Sequence, residues 1–312
     1  MNKPEIRIGR LSECTFEQTL QLKQRGWEGY HDTMAQHYPA FPRPAAPLPD
    51  ALDRMLDGFG TNGIRPQLSI VGFADGKPVG FVFIAVRTVH GKKLAWNGGT
   101  AVFPEYRGFG IAKLMMVEAN RVIREQEIDC AYLEVVAKND HAIAAYEKGG
   151  FVKRDKTIGM TREEALEAPI FPGEPPASIR LSSGKPEEVA SLPFYRQDAA
   201  WGCMWHSMKT GEALIARDES GEAVGYVLCT RSRNAEGQLS SVTLRQVEVS
   251  PSYSDRESLF RLLLNEALGP YDKPCVRKTG DLSMANPEAI NALLEAGFVI
   301  NYEQYVMTLT KE

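Results

Sequence analysis

Cysteine is scarce and scattered: Cys14, Cys130, Cys203, Cys229 and Cys275 are odd in number and stand too far apart for metal-ligand spacing. That argues against a zinc framework and a paired disulfide scaffold, and it suits reduced thiols in a reducing compartment. No stretch approaches 18 consecutive apolar residues, and residues 1–10 alternate charge without an apolar run. Neither a spanning helix nor a signal peptide is expected, so the chain is assigned to the cytoplasm, off the membrane. Positive charge is not in excess either: 36 Lys and Arg face 40 Asp and Glu, a net charge of −4. Phosphate backbones find no overall attraction in such a chain, and nucleic acid is not an expected partner.

What is present is the balance of a globular protein, 43% hydrophobic and 24% charged over 312 residues. That length suits two domains of roughly 100–200 residues each. The chain also repeats itself. V-F-P-E-Y-R-G-F-G-I-A from Val102 and N-D-H-A-I-A-A-Y-E-K-G-G-F from Asn139 are echoed by V-S-P-S-Y from Val249 and N-P-E-A-I-N-A-L-L-E-A-G-F from Asn286, each 147 positions on. A gap-free match over some fifty residues reads as a duplicated domain. Upstream, the strand and turn around Gly80 have a counterpart around Gly225, and Ile6-Arg7-Ile8 is echoed by Ile179-Arg180-Leu181. The stretch 162–178, with Pro169, Pro172, Pro175 and Pro176, reads as a linker, giving domains at 1–161 and 179–312. The first copy carries about 28 extra residues before its core, including the proline-rich run 38–50.

Periodicity in the first copy predicts helices at 16–26 and 50–58, then a hairpin of strands 68–74 and 79–87, and a third strand ending at Val102. A glycine turn follows, opening a helix whose apolar face is Ile111, Leu114, Met115, Ala119, Val122 and Ile123. Then come a strand at 131–136, a helix at 139–148 closed by Gly149-Gly150, and a strand at 151–160. The fold class is α/β (α+β), each copy a mixed, mainly antiparallel twisted sheet flanked by helices.

These residues resemble the GNAT superfamily of acyl-CoA-dependent acyltransferases. The family pattern R/Q-x-x-G-x-G/A is met by Arg107-Gly108-Phe109-Gly110-Ile111-Ala112, and N-x-x-A-x-x-x-Y-x-x-x-G-F by Asn139, Ala142, Tyr146, Gly150 and Phe151. The resemblance covers roughly residues 5–160. A glycine-rich turn at a helix N-terminus exposes backbone N–H groups and the positive end of the helix dipole, which suits the pyrophosphate of coenzyme A. The family pattern implies acetyl-CoA as acyl donor and no metal. It places the pantetheine and acyl carbonyl against the backbone of Thr100, Ala101 and Val102, and the phosphates on Arg107, Gly108, Phe109, Gly110, Ile111, Ala112 and Lys113, with Asn139 also on the cofactor side. In the superfamily the acceptor side is built by the first two helices and their connection. Here that segment offers Trp27, Tyr30, His31 and Tyr38, with His37 and Phe41, to an amine-bearing small molecule.

Acyl transfer to an amine needs a base, because a lysine-like ammonium with a pKa of about 10.4 is only about one part in a thousand neutral near pH 7.4. It also needs a proton donor for the departing thiolate, and a tyrosine is still protonated at neutral pH. Tyr146 occupies the family's general-acid position. Glu134, five residues before Asn139, is placed as the ribosomal-protein alanine acetyltransferases place their base; other family members use a water chain or a glutamate on the preceding strand, and residues 94–102 hold none. In the second copy Arg107, Gly108, Gly110 and Tyr146 become Ser254, Asp255, Glu257 and Leu293, so acids stand where a pyrophosphate needs amides. That copy is expected to have lost both coenzyme A and catalysis. Trp201, Met204, Trp205 and His206 read as core packing or a domain interface, ahead of a pocket shared by the two halves. Two alternatives stay open: a silent acyl-CoA or small-ligand binding module, and a protein amine as acceptor.

Overall fold

The computed structural model describes residues 4–43, 50–164, 168–171, 178–271 and 274–311, so parts of the proline-rich run and of the expected linker lie outside it. The chain divides into two compact units, Met1–Arg154 with Tyr305–Glu312, and Asp155–Gln304.

The first unit contains β1 (Ile6–Arg10), α1 (Phe16–Arg25), α2 (Tyr30–Ala35), α3 (Ala51–Asn62), β2 (Ile70–Ala74), β3 (Lys77–Val89) and β4 (Lys92–Val102). They are followed by α4 (Ile111–Glu125), β5 (Cys130–Val136) and α5 (Asp140–Lys148). Strands β1 to β4 pair antiparallel in order, and β5 joins β4 in parallel. Side chains alternate across this sheet. Gly26 at the end of α1 lies against Phe81 and Ala101, and Phe59 of α3 packs on Phe83, so these strand residues face α1 and α3. Val82 and Ile84 face Met116, Ala119 and Ile123 of α4. Ala131, Leu133 and Val135 of β5 form a core with Ile143, Tyr146, Phe151 and Met307.

The second unit runs β6 (Val152–Arg162, from Asp155), β7 (Arg180–Gly184), α6 (Pro186–Val189), β8 (Gly211–Arg217), β9 (Ala223–Arg233), β10 (Leu239–Val249), α7 (Arg256–Leu268), β11 (Val276–Thr279), β12 (Leu282–Ser283), α8 (Pro287–Glu295) and the start of β13 (Val299–Thr310). Its sheet repeats the plan of the first, with β7 to β10 antiparallel and β11 parallel to β10. Leu259, Phe260, Leu263, Leu264 and Leu268 of α7 are buried on it. Trp201 and Met204 are buried in this unit, with His206 edge-on to Trp201.

The closing strands depart from the boundaries read in the sequence. Residues 155–161, assigned there to the first domain, lie in the second unit and pair with β11 through Thr161↔Lys278. Residues 305–311, assigned to the second, belong to the first, where Met307 is fully buried beside Tyr146. Both segments follow a Gly-Phe helix exit and have similar apolar patterns, so a linear pattern cannot say which sheet each one closes.

Candidate active site

The parallel ladder of β4 and β5 stops at Asn97↔Leu133, although β4 continues to Val102 and β5 to Val136. Beyond that point the strands part, and one edge of β4 is left without a strand partner. A bulge sits at the same place, where Gly98 and Gly99 oppose the single residue Phe83. Asn97 locks the bulge, accepting from the Gly99 N–H at 3.1 Å and donating to Thr100 Oγ1 at 2.9 Å.

At the end of β4 the chain turns through Arg107-Gly108-Phe109-Gly110 into α4. Gly108 (φ 85°) and Gly110 (φ 81°) are left-handed, and a Cβ at either would meet no protein atom. Gly110 caps α4 with no side-chain bond, and the first turn holds no acid and one cation, the exposed Lys113. The first N–H groups of this 15-residue helix have no intrahelical acceptor and face outward at its positive end, a ready anion site.

Tyr146 is brought to the strand opening from the α4–α5 side by α5, whose N-cap is Asn139, accepting from the Ala142 N–H at 3.3 Å. Burial pushes the Tyr146 hydroxyl above its ordinary pKa, and an interaction with Thr100 offsets part of that. Tyr30 reaches the same point from α2. Its pKa rises to about 12, chiefly through burial and also through proximity to Tyr146, while an interaction with Asn139 opposes the rise. Four residues singled out in the sequence, Thr100, Asn139, Tyr146 and Tyr30, therefore meet at the gap. Glu134 alternates with Leu133 and Val135, so it lies on the opposite face of β5 from the Tyr146 core. There the Trp96 indole N–H donates to its carboxylate at 2.6 Å.

Trp27 stands on that same face, 6.1 Å from Phe81 and against Gly99 of the bulge, and 5.3 Å from Tyr30. His31 packs on Tyr30 and Phe41 and bonds the Pro42 carbonyl through Nδ1 at 3.1 Å. Tyr38 is buried at 8% exposure, an anchor of the segment rather than an accessible wall.

Other expected cofactor residues act through the framework. The exposed Arg107 donates through Nε to the carbonyl of Val102 (3.0 Å) and through Nη2 to those of Gly26 (3.2 Å) and Glu28 (2.9 Å), so most of its guanidinium is committed to the framework. Ala101 and Val102 are buried, and Ile111 is buried at 1% under the sheet, again leaving its backbone. Phe109 and Ala112 are exposed at the turn.

Residues 28–151, most of the first unit, match the acetyltransferase (GNAT) family. The first unit is a GNAT acetyltransferase domain. By family and fold the protein is an acyltransferase, of a class that uses acetyl-CoA and acts on amines. No curated protein matches the sequence. Among solved structures, the tandem GNAT protein of the clavulanic acid biosynthesis pathway is 18% identical, with 99% of this chain and 98% of that one covered at a TM-score of 0.59. A GCN5-related N-acetyltransferase from Sphaerobacter thermophilus is 16% identical, with coverages of 98% and 95% and a TM-score of 0.62. An acetyltransferase described as putative from Pyrococcus horikoshii is 15% identical, covering 100% and 91% at 0.57. At these identities the likeness establishes the fold, which over the whole chain is the tandem GNAT form.

The second unit differs from the GNAT domain where ligands would enter. Its helix α7 is capped by Asp255, whose carboxylate accepts from the Ser258 N–H at 3.3 Å, with Glu257 in the first turn. An N–H group of the kind α4 leaves open is here taken by Asp255, while Glu257 adds negative charge at the same turn and pairs with Arg261. Asn286, the counterpart of Asn139, donates across to the Val247 carbonyl at 3.2 Å, so the strand edge is bonded as well. One feature is retained: Arg256 donates to the carbonyl of Val249, the counterpart of Val102, at 2.8 Å. An arginine on this carbonyl persists in a unit without the glycine turn, which marks Arg107 as a brace for the strand end. Trp96 and Asn97 escaped the sequence reading; the signal was the Gly98-Gly99 pair after them, glycines inside a strand that mark a bulge.

Proposed function

We propose that the GNAT domain transfers an acetyl group from acetyl-CoA to a primary amine of a small molecule by direct attack. The observation that carries this reading is the strand opening that runs from the uncapped start of α4 to the Tyr146 hydroxyl. The pyrophosphate takes the N–H groups of residues 108–113, with Lys113 adding charge, and the pantetheine follows the free edge of β4 toward Thr100. The acceptor enters from the opposite face, between Trp27, Tyr30 and Glu134. Glu134, held by Trp96, takes a proton from the ammonium. The neutral nitrogen then attacks the thioester carbonyl, a C–N bond forms, and the C–S bond breaks as the sulfur receives the Tyr146 proton; the second proton, shed by the nitrogen as it becomes an amide, returns Tyr146 to its neutral form. A tyrosine kept protonated by burial suits that last step. None of the five cysteines forms a disulfide, as suits the reducing cytoplasm assigned above. Free-thiol release from acetyl-CoA in the presence of a panel of small primary amines tests the proposal. Amine-dependent release supports it, and coenzyme A binding without release from any amine contradicts it.

A further inference from the structure

The second unit holds a charged group that its own fold does not use. Arg245 is the extra residue of a bulge on β10, between Leu244↔Cys229 and Gln246↔Leu228, at the point where the β10–β11 ladder ends at Leu244↔Thr279. Its position corresponds to Gly98 beside the strand opening of the GNAT domain. Among the described residues the Arg245 guanidinium makes no hydrogen bond and no ion pair, and its Nε is sealed from solvent. A half-buried cation without a partner costs stability, because its lost hydration is not replaced.

The neighbourhood is shaped around this side chain. Its Nη1 lies against Gly280, where an added Cβ would sit 3.3 Å from Nη1 and 2.9 Å from Cys203 Sγ. The ladder register puts Gly280 at the place of Glu134, with Asp281 the next residue on. Asp281 is held in place by Tyr302, whose hydroxyl donates to Oδ1 at 3.1 Å, and by Gln304, which donates to the same oxygen. Its Oδ2 accepts nothing among the described residues. Arg245 is close enough to favour the Asp281 carboxylate, against the burial that disfavours it, yet the two do not close an ion pair. A free guanidinium fork and a braced carboxylate with one open oxygen thus stand side by side in the second unit.

We infer that this cluster binds the head of an α-amino acid or amino-acid derivative, with Arg245 taking the carboxylate and Asp281 the ammonium. A guanidinium matches a carboxylate with two parallel N–H···O bonds, and the neighbouring Asp281 carboxylate supplies the opposite charge for an ammonium. The acids at the α7 N-terminus oppose coenzyme A in this unit but leave a zwitterion, with no net charge, unaffected. The site is independent of the acetyl-transfer reading, and its failure would leave that reading untouched.

The test is thermal unfolding of the full chain with glycine, L-alanine, L-glutamate and L-lysine, beside ethylamine and cadaverine, which lack the carboxylate. A ligand at ten times its dissociation constant raises the unfolding midpoint by roughly 2–5 °C in a unit of this size. At least one amino acid is expected to do so and neither amine. In Arg245→Met the shift is lost, the ligand-free midpoint is unchanged or higher, and coenzyme A binding stays at the wild-type level. Gly280→Ala, which crowds the guanidinium, weakens the same ligand at least about tenfold in titration, a second reading should the first variant fold poorly. No shift from any amino acid, an equal shift from the amines, or an Arg245→Met midpoint several degrees lower without ligand overturns the assignment.

Discussion

Replacing Arg107 by alanine separates a brace from a phosphate ligand. Its guanidinium donates to three carbonyls, at 3.0, 3.2 and 2.9 Å, that tie the end of β4 to the segment after α1. Hydrogen bonds from a charged donor contribute about 1.5–3 kcal/mol each, and the bond to Glu28 is exposed, so a combined loss of about 2–4 kcal/mol is reasonable. At roughly 2–4 °C per kcal/mol, the unfolding midpoint of the GNAT domain should fall by about 5–15 °C. Coenzyme A affinity, measured by calorimetry well below that midpoint, should change less than about threefold, because Nε and Nη2 of the side chain are already committed to these carbonyls. Lys113→Ala should do the reverse, weakening coenzyme A by about three- to tenfold with little loss of stability. An Arg107→Ala protein that unfolds at the wild-type temperature but binds coenzyme A more than thirtyfold weaker would refute the bracing role.

Three further outcomes follow from the same geometry. Calorimetry with coenzyme A should give one site per chain, abolished by Gly110→Glu and unaffected by Asp255→Asn; two equivalent sites would contradict the closed α7 terminus. Trp27→Ala should raise the acceptor KM about tenfold and leave that for acetyl-CoA within about twofold, and the opposite pattern would move the acceptor elsewhere. The pH profile carries a sign: Tyr146 acts in its protonated form, present below its pKa, and burial raises that pKa above 10. The rate constant kcat should therefore rise as the amine deprotonates and show no downturn before about pH 10, whereas a fall near pH 8–9 would assign the acid to another group.

The elements around the site were largely legible in the sequence because local patterns specify them. The glycine turn before α4, the apolar face Ile111, Met115, Ala119 and Val122, and the Asn139 start of α5 are all within one or two residues of their expected places. The framework function of Arg107 was not legible, since its acceptors lie five and roughly eighty residues away and depend on tertiary approach. Helix α2 was missed because Tyr30–Ala35 is a six-residue helix in an aromatic-rich segment, too short for periodicity to register. The meeting of Tyr30 with Tyr146 was hidden for another reason: it requires the β4–β5 ladder to stop at Asn97, and a ladder's end is a property of two strands, not of either sequence. Arg245 was passed over because, in one dimension, a strand arginine looks like a solvated one.

The most direct test of acetyl transfer by the first unit is the steady-state rate of thiol release from acetyl-CoA with the best amine of the panel, in wild type and Tyr146→Phe. The ring's packing against Phe151 stays and only the hydroxyl leaves, so structure and cofactor binding are preserved. Acetyl-CoA KM should be unchanged while kcat falls about 10²–10⁴-fold, the range of a lost general acid. Turnover within about threefold of wild type at neutral pH would contradict the account, because no proton would then be passing through Tyr146.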